Sequence, residues 1–66
     1  MSTDKNTRSM LGRGLSILRC FGPGDQELAL TEIARRASMP KPTAHRIITE
    51  LVREGMLERG EEGIRL

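Results

Sequence analysis

The sequence predicts a small, mainly α-helical fold closed by a short β-hairpin. Apolar residues recur at helical spacing in three separate segments, and glycine or proline stands between them. The last segment, residues 56–66, instead places two short apolar and charged stretches around a Gly-Glu-Glu-Gly turn, as two strands would. With 66 residues, one phenylalanine and no tryptophan or tyrosine, the chain has room for one domain with an aliphatic core.

The first predicted helix starts after Ser9, whose side chain suits an N-cap, and stops at the Gly-Pro-Gly of residues 22–24. The preceding residues 1–8 are polar and lack periodicity, so we expect a disordered arm there. The helix carries two apolar stripes, and a domain this small can bury only one of them. The stripes consist of Leu11, Leu15 and Leu18, and of Gly14, Ile17 and Phe21.

A short second helix and a longer third helix follow. Thr31 is predicted to cap the second helix, after one edge strand at residues 28–30. The Ser-Met-Pro sequence then ends that helix, because the residue before a proline avoids helical geometry. The third helix is predicted over residues 41–54, with Pro42 in the first turn, where its missing amide has no partner to lose. Gly55 follows as the usual C-terminal stop.

Residues 30–49 have the spacing of a helix-turn-helix motif. Ala34 is small where the two motif helices must approach each other, whereas Ser38 stands where the sharp turn favours glycine. The inner positions are all apolar: Ile33, Ala37, Met39, Ala44 and Ile47. A helix before the motif and a hairpin, or wing, at residues 56–66 complete the pattern of a winged helix-turn-helix.

In such a fold the second motif helix enters the major groove of duplex DNA. Pro40 and Pro42 stiffen the start of this helix, and Lys41, Thr43 and Arg46 offer donors for phosphates and base edges. His45 lies at the boundary of the outer face and either packs or contacts DNA. On the wing, the acidic tip disfavours insertion into DNA. The full predicted DNA-binding set is Thr31, Lys41, Pro42, Thr43, His45, Arg46, Thr49, Arg59 and Arg65.

Three segments, RGLSILRCF, LTEIARRASMPKPTAHRII and LVREGMLER, resemble the N-terminal winged helix-turn-helix domain of IclR-type bacterial transcriptional regulators. The resemblance covers residues 9–66 and implies a cytoplasmic repressor or activator that binds double-stranded operator DNA as a homodimer on a palindromic site. It also implies a C-terminal domain for a small-molecule effector, which we expect to be absent from these 66 residues. The first helix would pair the two copies, through Leu11, Gly14, Ile17 and Phe21. Pro42 departs from the family, which usually has a small polar residue there.

The residue inventory argues against other functions. One cysteine and one histidine cannot build a multi-cysteine zinc site or a catalytic pair, so we expect no enzyme activity, metal or cofactor. No apolar run is long enough to cross a membrane. Two rivals stay open: RNA binding, which the lack of aromatic residues disfavours, and a winged helix that binds another protein. The second rival is favoured by the acidic C-terminal third, with Glu54, Glu58, Glu61 and Glu62.

Overall fold

The structure, a computed structural model, describes residues 9–24 and 27–66. It contains three helices and a two-stranded antiparallel hairpin: α1 (Met10–Leu18), α2 (Leu30–Arg36), α3 (Lys41–Arg53), β1 (Glu58–Arg59) and β2 (Ile64–Arg65). The predicted disordered arm at residues 1–8 lies outside the described residues. The mainly helical fold with a terminal wing is therefore confirmed.

Helix α1 begins as predicted, since the Ser9 side chain accepts a hydrogen bond from the Gly12 amide at 3.1 Å. It ends at Leu18, several residues before the predicted stop at residues 22–24. The residues after Leu18 instead contact α2. The guanidinium of Arg36 donates to the carbonyl of Cys20 at 2.8 Å, so that carbonyl is held by α2.

Helix α2 begins one residue before Thr31, so the prediction that Thr31 caps it is wrong. Ala29 occupies the N-cap position with an extended backbone and no side-chain cap. The chain is extended up to this point because Leu28 and Ile64 exchange two backbone hydrogen bonds of 2.8 Å. The predicted edge strand at residues 28–30 is thus a single bridge beside the wing, and Thr31 lies exposed inside the first helical turn.

Helices α2 and α3 end in the same backbone motif. Beyond each helix, two amides return to carbonyls of the last turn, the Schellman arrangement, with one residue in the left-handed region. That residue is Gly55 after α3, with φ 83°, and Ser38 after α2, with φ 56°. The left-handed backbone explains why the turn of a helix-turn-helix favours glycine, and why serine at this position is a departure.

The core lies where the three helices meet the wing. Within the described residues it consists of Ile17, Leu28, Ile33, Ala34, Ala44, Ile47, Ile48, Leu57 and Ile64. Ala34 and Ala44 allow the two motif helices to pack closely, as the motif spacing predicts. The inner side of α3 is therefore fixed by packing, and its outer side faces solvent.

Candidate nucleic-acid interface

The exposed side of α3 is the candidate interface. Pro42, His45, Arg46 and Arg53 are exposed along it, and Lys41 is exposed at its start. Pro40 occupies the N-cap with an extended backbone, and Pro42 lies in the first turn. The start of the helix is therefore held by two prolines whose φ angles are fixed, which lowers the entropy that binding would cost.

The basic side chains on this face differ in whether a carboxylate already neutralises them. The Arg53 guanidinium contacts the Glu50 carboxylate at 3.0 Å, so its charge is partly satisfied within α3. Lys41 and Arg46 have no ion-pair partner among residues 9–24 and 27–66. They are the cations of α3 that an anionic partner can reach without first breaking a salt bridge.

Thr49 has a structural role that the sequence did not predict. Its hydroxyl donates to the carbonyl of His45 at 2.9 Å, and it accepts a hydrogen bond from the Arg59 guanidinium at 3.3 Å. Arg59 has no carboxylate partner in the described part of the chain. Thr49 thus connects the wing to α3 and brings the Arg59 charge beside the outer face of the helix.

The strand register separates the two wing arginines that the sequence grouped together. Arg59 pairs with Ile64, which is buried, and Arg65 pairs with Glu58. Because opposed residues share a face of the hairpin, Arg59 lies on the face toward the domain and Arg65 on the other. Arg65 is also engaged by two carboxylates, Glu58 at 2.9 Å and Glu27 at 3.5 Å. The structure therefore brings Arg59, but not Arg65, to the candidate interface.

The arginines of α2 are occupied by an acidic neighbour. The Glu32 carboxylate contacts Arg35 at 2.5 Å and Arg36 at 2.7 Å. These hydrogen bonds, Arg35 first, lower the pKa of Glu32 to about 2, and the same bond raises the pKa of Arg35. Because Glu32 binds both arginines, helix α2 presents less free charge than its composition indicates.

The neighbouring Cys20 thiol packs against the core, and burial is the main cause that raises its pKa.

A basic residue that the sequence analysis missed borders the start of α3. Arg13, on α1, lines a cleft with Ser38, Pro40 and Thr43. Arg13 is half-buried and has no ion-pair partner in the described ranges. Helical periodicity places Arg13 on the polar side of α1, but only the packing of α1 on the motif brings it beside Thr43.

A second surface, the α1–α3 groove, is mostly apolar and open to solvent, and Arg46 and Glu50 of α3 border it. Its rim carries Met10, Leu11, Leu15 and Met56, which are 48%, 73%, 42% and 52% exposed, and its volume is about 600 Å³. Of the predicted pairing set, Leu11 lies on the exposed rim and Gly14 lies buried in the lining of the groove, whereas Ile17 is fully buried and the half-buried Phe21 packs against the core. Gly14 faces Leu51 of α3, so the stripe that contains Gly14 points into the domain. The stripe that contains Leu11 and Leu15 stays exposed to solvent.

Neither a metal cluster nor a membrane-spanning segment is found in the described residues. No group of three or more histidine, cysteine, aspartate or glutamate side chains is placed to hold a metal ion there. None of the described helices has the length and apolar character needed to span a bilayer.

A recognition-type helix with free cations, stiffened by prolines and followed by a wing, defines the class of winged helix-turn-helix DNA-binding domains. The IclR helix-turn-helix domain model matches residues 10–61, and the chain belongs to this family of transcriptional regulators, which is not a class of enzymes.

Known relatives agree in sequence and in structure. The chain is 37% identical over 54 residues both to the transcriptional repressor IclR of Escherichia coli and to the acetate operon repressor of Salmonella typhimurium. These matches cover 80% of the chain and 20% of each relative, so the chain spans about a fifth of their length. An IclR homolog from Microbacterium hydrocarbonoxydans, solved with 4-hydroxybenzoate, superimposes with TM-score 0.83 at 42% identity, over 88% of this chain and 25% of that one. A homolog from Microbacterium sp. strain HM58-2 gives TM-score 0.82 with the same identity and coverage.

Proposed function

We propose that this chain binds double-stranded DNA sequence-specifically, with α3 in the major groove, as the cytoplasmic DNA-binding part of a bacterial transcriptional regulator. The observation that carries the proposal is the pair of unneutralised cations, Lys41 and Arg46, on the exposed and proline-stiffened start of α3. Arg46 lies one turn into the helix, at the depth from which a side chain reaches base edges, while Lys41 lies at the end nearest the backbone. Membership of the IclR family supports the same reading.

Other predicted residues support binding in different ways. We assign phosphate contacts to Thr43, in the first turn of α3, and to Arg13 and Arg59, which lie beside α3. Thr31 is exposed in the first turn of α2, and we assign it a contact with a phosphate of the DNA backbone. His45 is exposed rather than packed, so we assign it to the DNA side. Pro42 contributes stiffness, and Arg65 is left out of the binding set because Glu58 and Glu27 hold it.

A salt titration tests DNA binding against the protein-binding alternative. Duplexes would first be enriched from a random pool by the chain and sequenced, and the affinity for the enriched duplex then measured over a range of salt concentrations. If several phosphates are contacted, log affinity should fall linearly with log salt, at a slope of roughly −0.9 per contact. Failure to enrich any duplex, or a flat salt dependence, would contradict the proposal and favour a winged helix that binds another protein.

We further propose that two copies bind one palindromic site and pair through the α1–α3 groove. Four large apolar side chains on its rim are exposed in the single chain, more than isolated surface residues require. Leu11→Glu should therefore reduce the number of copies per enriched duplex from two to one in sedimentation, while Leu66→Glu, on a similarly exposed leucine outside the groove, should not. Unchanged stoichiometry for Leu11→Glu would exclude the groove as the pairing surface.

A further inference from the structure

Glu27 lies between α1 and α2, yet its carboxylate is bound inside the wing. One carboxylate oxygen accepts a hydrogen bond from the backbone amide of Glu62 at 2.7 Å, and the other lies 3.5 Å from the Arg65 guanidinium. The Glu27 side chain is only 19% exposed. A residue near the start of the motif thus connects directly to the hairpin loop at the far end of the sequence.

The wing loop is shaped to admit this carboxylate. A side chain at Gly60 would overlap the Glu27 carboxyl group, and a Cβ at Gly63 would lie 2.5 Å from the Leu28 carbonyl oxygen. The Gly60 amide closes the loop by donating to the Gly63 carbonyl at 2.7 Å. The two glycines of the Gly-Glu-Glu-Gly turn therefore allow the loop to pack on residues 27–28.

The charge around this carboxylate is mixed, because Glu61, Glu62, Arg59 and Arg65 all line the same cleft. Glu61 and Glu62 form the tip of the same loop, so a third acidic side chain adds like-charge repulsion. The Glu62 amide and Arg65 offset this repulsion by binding the carboxylate directly. What these contacts achieve is a fixed position for the wing relative to the body of the domain.

We propose that Glu27 is a positioning residue for the DNA-binding face. By holding the wing loop, it keeps β1 in the place from which Arg59 reaches Thr49 on α3. The same contact retains Arg65 on the opposite face of the hairpin, away from phosphate. This role rests on the proposed function, because the wing position matters only if Arg59 contacts DNA.

The direction in which Glu27→Ala changes the affinity for DNA distinguishes a positioning role from a purely electrostatic effect of the carboxylate. Loss of a carboxylate near bound DNA should strengthen binding, because it removes repulsion of phosphate. We expect Glu27→Ala to weaken binding of the enriched duplex instead, by roughly three- to ten-fold, because Arg59 loses its fixed position. Glu61→Ala removes the same charge from the wing tip without releasing the loop, so it should leave the affinity unchanged or raise it.

A double-mutant cycle then tests whether Glu27 acts through Arg59. If it does, Glu27→Ala should cost no further affinity in an Arg59→Ala background. Hydrogen exchange of the Glu62 amide in the free chain should accelerate by roughly ten-fold or more in Glu27→Ala. If circular dichroism shows that Glu27→Ala does not fold, Glu27→Gln replaces it in the same cycle. Glutamine loses the charge that attracts Arg65 but keeps an oxygen that can accept the hydrogen bond from the Glu62 amide.

The outcomes are distinguishable from a failure of the proposed function. If the wild-type chain enriches no duplex, DNA binding itself is wrong and the role of Glu27 is lost with it. If the wild-type chain binds but the Glu27 variant binds equally well or more tightly, only the role of Glu27 is overturned. Additive losses in Glu27 and Arg59 would also overturn it, because they would show that the two residues act independently.

Discussion

At the residue scale, Ser38 and Gly55 occupy equivalent positions with different chemistry. Both have left-handed backbones, but Ser38 carries a Cβ that this region disfavours. Ser38→Gly should therefore stabilise the chain by about 0.5–1 kcal/mol, the relief of strain being partly offset by the greater freedom of glycine when unfolded. The reciprocal change, Gly55→Ser, should destabilise it by about 1 kcal/mol. Urea unfolding of both variants would check this, and a loss of stability in Ser38→Gly would contradict it.

The Glu32 carboxylate gives the chain an acid-sensitive contribution to stability. The pKa of this carboxyl is about 2 in the folded chain, whereas its ordinary value, which applies to the unfolded chain, is 4.5. Folding therefore favours the ionised form. The stabilisation is complete above pH 4.5 and disappears as the pH falls toward 2. Thermal melts should show Glu32→Gln less stable than wild type at pH 7 and equal to it near pH 2. If Arg35 and Arg36 do not hold the carboxylate, the stability difference between Glu32→Gln and wild type should not depend on pH in this range.

At the element scale, local signals predicted some boundaries and tertiary contacts decided others. Ser9, Pro42 and Gly55 act on their own backbone neighbourhood, and all three lie where the sequence placed them. Thr31 was misplaced because the extended chain before α2 is set by pairing with the wing, more than thirty residues away. Periodicity found both stripes of α1 but could not choose between them, because the choice depends on how α1 packs against Leu51 of α3.

That packing also yields a prediction for α1 itself. A Cβ at Gly14 would lie 3.9 Å from the Leu51 side chain, an ordinary van der Waals distance. Gly14→Ala should therefore raise the free energy of unfolding by up to about 1 kcal/mol, because alanine favours the helix and meets no clash. Gly63→Ala, which would press against the Leu28 carbonyl, should instead lower it. A destabilised Gly14→Ala variant would mean that α1 and α3 approach more closely than described.

The hairpin gives a further prediction, because its register assigns different roles to two similar arginines. Arg59→Ala should weaken DNA binding and reduce the salt slope by roughly one contact, whereas Arg65→Ala should change neither by a comparable amount. The two variants remove the same charge from neighbouring strands, so each is the control for the other. Equal losses would show that Arg65 leaves its carboxylates to reach DNA. The sequence could not separate them, because strand register is a tertiary property.

At the scale of the whole molecule, the basic side chains available to bind DNA are those that no carboxylate contacts in the folded chain. Arg35, Arg36 and Arg65 contact carboxylates, as does Arg53 through Glu50, whereas Lys41, Arg46 and Arg59 do not in the described ranges. Lys41, Arg46 and Arg59 lie on or beside α3, and Arg13 borders its start, whereas Arg19 lies exposed at the end of α1. The exposed apolar side chains line the α1–α3 groove, which Arg46 borders. The net charge of +2 does not indicate which of these cations stay free of carboxylates. We expect the cations on and beside α3 to bind DNA and the groove to pair two copies.

Two alanine variants, compared on the enriched duplex, decide whether α3 reads DNA through Arg46. Arg46 and Arg53 share the outer face of α3, but only Arg53 is paired with a carboxylate of its own helix. Arg46→Ala should lose about 1–3 kcal/mol of binding free energy on the enriched duplex and less on a scrambled one, whereas Arg53→Ala should lose much less on both. An Arg46→Ala variant that binds as tightly as wild type, or an equal loss in Arg53→Ala, would contradict the account.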